Sequence, residues 1–326
     1  EDGKITLYSG KIEMGQGIMT SLTQMAAEDL GVSLDSMQIV MGDTDYCPWD
    51  MGTFGSLTTR MFGPAVRAAA ARARLVLLDL AAQQLGAQRE SLTVEDGVVF
   101  VTGDPSRSVT YGALVRGREI THTVDEDAVQ RSVREFTVMG TSPLRMDGLE
   151  KVTGTARYAG DIRLPGMLYG SVRRNPHLGG AMLSFDASKA SDMPGVRKVI
   201  PLKDGVIVVA TNSWYAERAS QALNIEWGPA AYPDSTEEHF ERVEEAFAND
   251  ADASIFRNDG DVDAALAGEQ VISGEYRAPY LAHATMEPMN AVAWLRNGKL
   301  DIWAGNQWPT KAVITGAELC GIARDD

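Results

Sequence analysis

The spacing of apolar residues at the start of the chain predicts a β-α-β unit. Apolar and polar side chains alternate over residues 4–9, as they do in a half-buried strand. Apolar residues then recur at helical spacing over 18–30, and a second strand is predicted at 37–41. A longer helix with one apolar face, over 66–80, is expected to pack against this sheet.

The middle of the chain predicts a second region with short strands and one helix. Turn formers separate the predicted strands at 168–172, 196–200 and 206–210. A helix is predicted at 214–223, with Ser213 as its N-terminal cap. Together these elements indicate a compact α+β domain.

The last part of the chain returns to alternating helix and strand patterns. A capping box at 235–238 predicts the start of a surface helix. Strands are predicted at 271–276, 291–295 and 300–304, and a final helix is expected to begin near Pro309, whose fixed φ suits a first helical turn.

A charged stretch without apolar periodicity sets the predicted domain limits. Residues 116–149 have this character, which indicates a linker or an excursion across the surface. The predicted domains are therefore 1–115, 150–230 and 231–326, and the fold class is α+β.

Composition excludes several kinds of partner. The 45 acidic and 30 basic residues give a formal net charge of −15, which disfavours nucleic-acid binding. No apolar run reaches the roughly 18 residues of a membrane span. The two cysteines, Cys47 and Cys320, and four histidines lack metal-ligand spacing, so any metal would have to be held by another group.

Two small-residue turns that precede helices are candidate ligand sites. Gly15 and Gly17 allow close backbone approach, and the N–H groups of the following helix favour an anion such as phosphate. Gln16 adds an amide that can donate and accept hydrogen bonds. Such a turn also occurs without a ligand, and Thr20 stands where a dinucleotide-binding fingerprint would have a third glycine.

The second turn, over 52–59, combines glycines with four hydroxyl side chains ahead of a helix. This composition suits a cradle for a phosphate-bearing ligand. A hydroxyl-rich capping loop without a ligand is the alternative reading of the same residues.

The complete string of motifs resembles the xanthine oxidase family of molybdenum enzymes. The segments that resemble its molybdopterin-binding region are 13–17 (Glu-Met-Gly-Gln-Gly), 41–44, 53–59 and 63–65. Residues 151–168 and 194–196 resemble its hammerhead domain, and 283–291 and 303–307 resemble the start of the domain that covers the molybdenum. The resemblance implies molybdopterin-binding portions that flank an α/β-hammerhead domain.

The order of these motifs is permuted relative to the xanthine oxidases proper, since the Glu-Met-Gly-Gln-Gly segment comes first. The same order is typical of isoquinoline 1-oxidoreductase, nicotinate dehydrogenase and bacterial membrane-bound aldehyde dehydrogenases. The resemblance implies molybdopterin as cofactor, in the cytosine dinucleotide form. It implies that the cofactor-binding residues are Gly15, Gln16, Gly17, Phe54, Gly55, Ser56, Thr58 and Gln307, with the Gln307 amide directed at a molybdenum oxo group.

The chemistry implied by this resemblance is oxidation of an N-heterocycle or an aldehyde with water as the oxygen source. The family's catalytic glutamate would lie beyond Asp326, so the chain is expected to be a fragment that is inactive by itself. A small 2Fe–2S subunit is the implied partner, with a cytochrome c as a further candidate. A cofactor-free scaffold module is the alternative function, and the compartment stays open between periplasm and cytoplasm.

Overall fold

The computed structural model describes residues 3–124, 128–247, 249, 254–255, 257, 259–267 and 270–325. The chain folds into two compact units. One comprises Glu1–Ile162 together with Thr285–Asp326, and the other comprises Arg163–Ala284. Helices and strands alternate in both, which confirms the predicted α+β class. The hammerhead arrangement and the predicted domain limits stay predictions.

The first unit begins with the predicted β-α-β arrangement. Strand β1 (Ile5–Ser9), helix α1 (Ile18–Leu30) and strand β2 (Met37–Met41) follow one another, and the two strands pair in parallel. Helix α2 (Gly63–Leu85) packs against α1. Fully buried side chains such as Leu22 lie in the core that the two helices share with the sheet.

A three-stranded antiparallel sheet follows α2, and the sequence patterns did not predict it. Its strands, in spatial order, are β3 (Leu92–Glu95), β4 (Val98–Val101) and β5 (Asp104–Thr110). Asp96 and Gly97 turn between the first two strands with positive φ, as an Asp-Gly hairpin turn requires. Two short helices follow, α3 (Tyr111–Val115) and α4 (Gly148–Thr153).

The described part of the predicted linker is bound to α1 through two carboxylates that have no exposed surface. Glu28 accepts hydrogen bonds of 2.7–2.9 Å from the backbone N–H groups of 137–139. Asp29 pairs with Arg67 at 2.6 Å and accepts the backbone N–H of Arg131 at 2.7 Å. Because buried carboxylates need such partners, this segment completes the environment of the helix.

These contacts predict a loss of stability in acid. Burial by itself raises the pKa of Glu28, but the N–H donors of 137–139 and Arg131 outweigh it and hold the pKa below its ordinary value of 4.5. The stabilisation is therefore complete above about pH 4.5 and is lost as the pH falls through the lowered folded-state pKa. We expect the free energy of unfolding in guanidinium to fall between pH 7 and pH 3.

The Glu28→Gln variant provides the control for this prediction, because its amide does not titrate. Its unfolding free energy should depend less on pH than that of the unaltered chain. Equal pH dependence in the two proteins would contradict the role given to Glu28.

The described residues of the second unit form two antiparallel sheets. Strands β6 (Tyr169–Arg174), β8 (Val196–Leu202) and β9 (Gly205–Ala210) form one sheet with β9 in the centre. The other sheet pairs β7 (Met182–Asp186) with β10 (Asn224–Trp227), neither of which the sequence pattern predicted. The helices of this unit are α5 (Ser188–Ser191), α6 (Ser213–Gln221), α7 (Thr236–Phe247) and α8 (Val262–Leu266).

Two details of the predictions for this unit are wrong. Asn212, not Ser213, caps α6, because the Asn212 side chain accepts the N–H of Tyr215 at 2.8 Å. The predicted strand at 271–276 is also absent, since these residues form neither helix nor strand. Ile272 is 94% exposed, so no neighbouring strand covers the apolar pattern that suggested it.

The chain returns to the first unit as a hairpin and a helix. Strands β11 (Ala291–Arg296) and β12 (Lys299–Ala304) pair in antiparallel fashion, and α9 (Pro309–Cys320) begins at Pro309, as predicted. Among the described residues, no helix has both the length and the apolar character needed to cross a membrane.

Candidate functional site

The first glycine-rich loop, residues 13–17, leads from β1 into α1 and is organised by its own glutamate. The Glu13 carboxylate accepts the N–H groups of Gly15 at 2.7 Å, Gly17 at 3.0 Å and Met19 at 3.0 Å. An acidic group is favoured at this end of a helix. In this structure the protein's own carboxylate therefore accepts the N–H groups of Gly15, Gly17 and Met19, and a phosphate at this turn stays a prediction.

Electrostatics keep this carboxylate ionised. Burial raises the pKa of Glu13, but the N–H groups of Met19, Gly17 and Gly15 together with the Arg145 charge outweigh it and lower the pKa. The ionised form, which accepts the N–H groups of the loop, is therefore favoured.

Gln16 also folds back on the loop. Its Oε1 accepts the N–H of Met14 at 2.5 Å, and its Nε2 donates to the carbonyl of Ile12 at 2.9 Å. The amide thus donates and accepts at once, as the sequence suggested, but its partners are loop backbone. Gly15 remains open, since an added Cβ would meet no atom within 4 Å.

The second loop has an unusual backbone. Gly52 and Gly55 have φ of +102° and +61°, and Ser56 adopts φ of +56°, a left-handed conformation that serine rarely takes. Thr58 is buried, with its hydroxyl 3.4 Å from that of Thr53. A π-helical turn, Thr58–Phe62, then leads into α2. Strained residues and π-turns occur often at functional sites, so this loop is the stronger candidate of the two.

The strain at Ser56 can be tested with glycine. Ser56→Gly should leave stability unchanged or raise it by up to about 1 kcal/mol, because glycine adopts positive φ without a steric penalty. Ser106→Gly, at an exposed position of β5, is the matched control and should destabilise by about 0.5–1 kcal/mol. Equal destabilisation of the two variants in denaturant unfolding would show that Ser56 is not strained.

A buried ion pair joins the bases of the two loops. Lys11, just before the first loop, lies with its Nζ 2.9 Å from Asp50 Oδ1 and donates to the Gly52 carbonyl at 2.8 Å. Asp50 also accepts the N–H of Gly52 at 2.8 Å. At Gly10 an added Cβ would come within 2.5 Å of the Pro48 carbonyl oxygen, so the two segments are in close contact. Sequence reasoning missed Lys11 and Asp50, since nothing in their spacing signals a contact.

Gln307 is brought to the second loop from the far end of the chain. Its Nε2 donates to the Thr53 carbonyl at 2.6 Å, and the Thr53 N–H donates to the Gln307 carbonyl at 3.2 Å. The neighbouring Trp308 packs edge-on against Phe54, with ring centroids 5.9 Å apart. The structure therefore places Gln307 and Phe54 at one site, as an extension of the second loop.

The residues present fit a polar, anionic ligand at the second loop. Gly55 and Ser56 are exposed and present backbone and a hydroxyl, and the nearby Asp50 is neutralised by Lys11. The indole Nε1 of Trp308 is buried and has no hydrogen-bond partner in the described part of the chain, which leaves a donor for an acceptor group. Within the same residues, no group of three or more His, Cys, Asp or Glu side chains could hold a metal ion.

Two parts of the chain match known families. Residues 1–151 match a family described as a molybdopterin cofactor-binding domain, and residues 246–326 match a second family with the same description. The loops at 13–17 and 52–59 lie in the first match, and Gln307 lies in the second.

Curated relatives match over nearly the whole chain. One of the nicotinate dehydrogenase subunits of Pseudomonas putida is 33% identical over 95% of this chain and 26% of the relative. A membrane-bound aldehyde dehydrogenase (pyrroloquinoline-quinone) of Gluconacetobacter polyoxogenes is 29% identical over 97% of this chain and 43% of its own length. The beta chain of isoquinoline 1-oxidoreductase of Brevundimonas diminuta is 29% identical over 99% of this chain and 48% of its own. The chain thus spans about a quarter to a half of these relatives, and their names confirm the predicted resemblance.

Proposed function

We propose that the two glycine-rich loops and Gln307 hold the molybdopterin cofactor of an oxidoreductase, because residues 1–151 and 246–326 each match a family described as a molybdopterin cofactor-binding domain. One observation carries this proposal. The reciprocal hydrogen bonds between Gln307 and Thr53 join the two family-matched parts of the chain at a single site.

Each part of the site has a separate task in this proposal. Gly55, Ser56 and Thr58 line the phosphate-bearing side of the ligand, where Lys11 cancels the charge of Asp50 and so removes a source of repulsion. In the first loop, Gln16 shapes the turn, and Gly15 and Gly17 have no side chain that would keep the pterin away from the loop. Phe54 and Trp308 form the apolar wall of the second loop.

The cofactor would supply a redox-active molybdenum ligated by its own dithiolene, and with it the two-electron chemistry. The residues of this chain bind and orient it. Gln307 offers an amide beside the second loop, and the buried indole N–H of Trp308 offers a further donor.

Cofactor analysis tests this proposal. We expect stoichiometric molybdenum and cytidine nucleotide in the protein purified from a host with an adequate molybdenum supply. Gln307→Ala should lower both contents, whereas the exposed Gln84→Ala on α2 should not. A protein that contains neither molybdenum nor nucleotide under these conditions would instead favour the cofactor-free scaffold.

The proposed substrate is an N-heterocycle or an aldehyde, oxidised with water as the oxygen source. The names of the relatives include both classes. A small 2Fe–2S protein and a cytochrome c are the proposed electron acceptors. Turnover of nicotinate, isoquinoline and an aliphatic aldehyde by the assembled enzyme distinguishes the two substrate classes. Failure on all three substrates by an assembly that contains molybdenum would contradict this part of the proposal.

A further inference from the structure

Arg145, which lies far along the chain, forms hydrogen bonds to the first glycine-rich loop. Arg145 Nη1 donates to the Gly15 carbonyl at 2.8 Å, and Nη2 lies 3.2 Å from Glu13 Oε1. Glu13 in turn accepts three N–H groups of the loop and of the first turn of α1. One guanidinium therefore contacts both the loop's carboxylate and its central carbonyl.

Arg145 is itself held firmly in place. Its Nε and Nη2 each donate to the carboxylate of Asp147 at 2.9 Å, which is the bidentate geometry that suits a guanidinium. Lys151 donates to the same carboxylate at 2.5 Å. The neighbouring Met146 N–H donates to the Thr20 hydroxyl on α1 at 3.0 Å, so the segment is also attached to the helix.

The charges of this cluster support each other. The hydrogen bonds from Arg145 lower the pKa of Asp147, and those to Asp147 raise the pKa of Arg145. Both side chains therefore favour their charged forms. Lys151 belongs to the Lys-Val-Thr-Gly segment that resembles the hammerhead domain, and it has no task in the proposed function.

We propose that Arg145 is a positioning residue that sets the first glycine-rich loop in its ligand-binding conformation. Gly15 and Gly17 have φ of +100° and +87°, so the loop backbone has few steric constraints, and Arg145 adds an anchor from outside the loop to the internal hydrogen bonds of Glu13 and Gln16. Arg145 provides this anchor through Glu13 and the Gly15 carbonyl, and Asp147 and Lys151 fix its direction. The identity of the ligand rests on the proposed function, whereas the ordering of the loop does not.

Variants can separate positioning from charge. Arg145→Ala removes the anchor, and Arg145→Lys keeps the charge but not the planar fork that reaches three partners at once. Asp147→Asn leaves Arg145 in place but weakens its support. Arg89→Ala is the matched control, because Arg89 is comparably exposed and pairs with Asp79 at 3.1 Å in the same unit.

Hydrogen exchange in the cofactor-free chain gives a readout that is independent of activity. We expect the amides of Gly15, Gly17 and Met19 to exchange about tenfold faster in Arg145→Ala and Arg145→Lys, and measurably faster in Asp147→Asn. The amides of β3–β5 serve as the internal reference for correct folding and should keep their rates. Molybdenum content after expression with molybdenum supply should fall in the same variants but not in Arg89→Ala.

The outcomes distinguish the two proposals. Unchanged loop exchange in Arg145→Ala would overturn the positioning role, and so would full restoration by Arg145→Lys, since charge alone would then suffice. Faster exchange with undiminished molybdenum content would also overturn it, because loop order would then not matter to the ligand. An unaltered chain without molybdenum would contradict the proposed function, while the exchange rates would still decide whether Arg145 orders the loop.

Discussion

Replacement of Lys11 by methionine is expected to destabilise the chain by about 3–5 kcal/mol and to abolish cofactor retention. Methionine keeps the apolar stem but leaves the Asp50 carboxylate buried without its counter-ion, with only 11% of its side chain exposed. The Gly52 carbonyl loses its donor at the same time. Denaturant unfolding and molybdenum analysis of the same preparations measure the two effects.

Two further variants serve as controls for the Lys11 prediction. Lys299→Met, at an exposed position of β12, should change stability by less than about 0.5 kcal/mol. In the double variant Lys11→Met/Asp50→Asn, much of the lost stability should return, because the unpaired charge is gone. A loss no larger for Lys11→Met than for Lys299→Met would mean that the ion pair does not hold the loops together.

Glu28→Ala, a substitution on α1, is expected to destabilise the chain about as much as Lys11→Met. The substitution leaves three backbone N–H groups of 137–139 and the Arg131 guanidinium without their acceptor, a carboxylate that has no exposed surface. Breaking such a buried, hydrogen-bonded charge typically costs about 3–5 kcal/mol. Unfolding in guanidinium measures the loss.

The exposed Glu95→Ala is the control for this prediction and should remain within about 0.5 kcal/mol of the unaltered chain. A loss below about 1 kcal/mol for Glu28→Ala would contradict the role of Glu28 as the acceptor that binds 137–139 to α1.

Apolar periodicity predicted the elements that bury one face. Helix α1 and strands β1 and β2 were found because their inward side chains recur at the period of the element. Strand β5 was missed because most of its residues are exposed polar side chains, and it is a strand only through its pairing with β4. The strand predicted at 271–276 fails for the converse reason, since a pattern alone provides no partner strand.

Only part of the candidate site could be predicted from the sequence. Glycine spacing identified both loops, and family resemblance added Gln307. The contacts that assemble the site join Lys11 to Asp50 and Arg145 to Gly15, positions that are 39 and 130 residues apart. Local pattern carries no information on such contacts. The contacts of Glu13 are local, and the preference for an acidic group at a helix N-terminus was the signal that could have identified it.

The proposed cofactor site is tested most directly by finding which residues the bound cofactor protects from hydrogen exchange. Hydrogen exchange of the cofactor-loaded protein, compared with the cofactor-free protein, should show protection concentrated in residues 13–19 and 52–59 and around Gln307. Exchange in β6, β8 and β9 should be unchanged. Protection confined to the Arg163–Ala284 unit, or no protection in the two loops of a protein that contains molybdenum, would contradict the claim that these loops hold the cofactor.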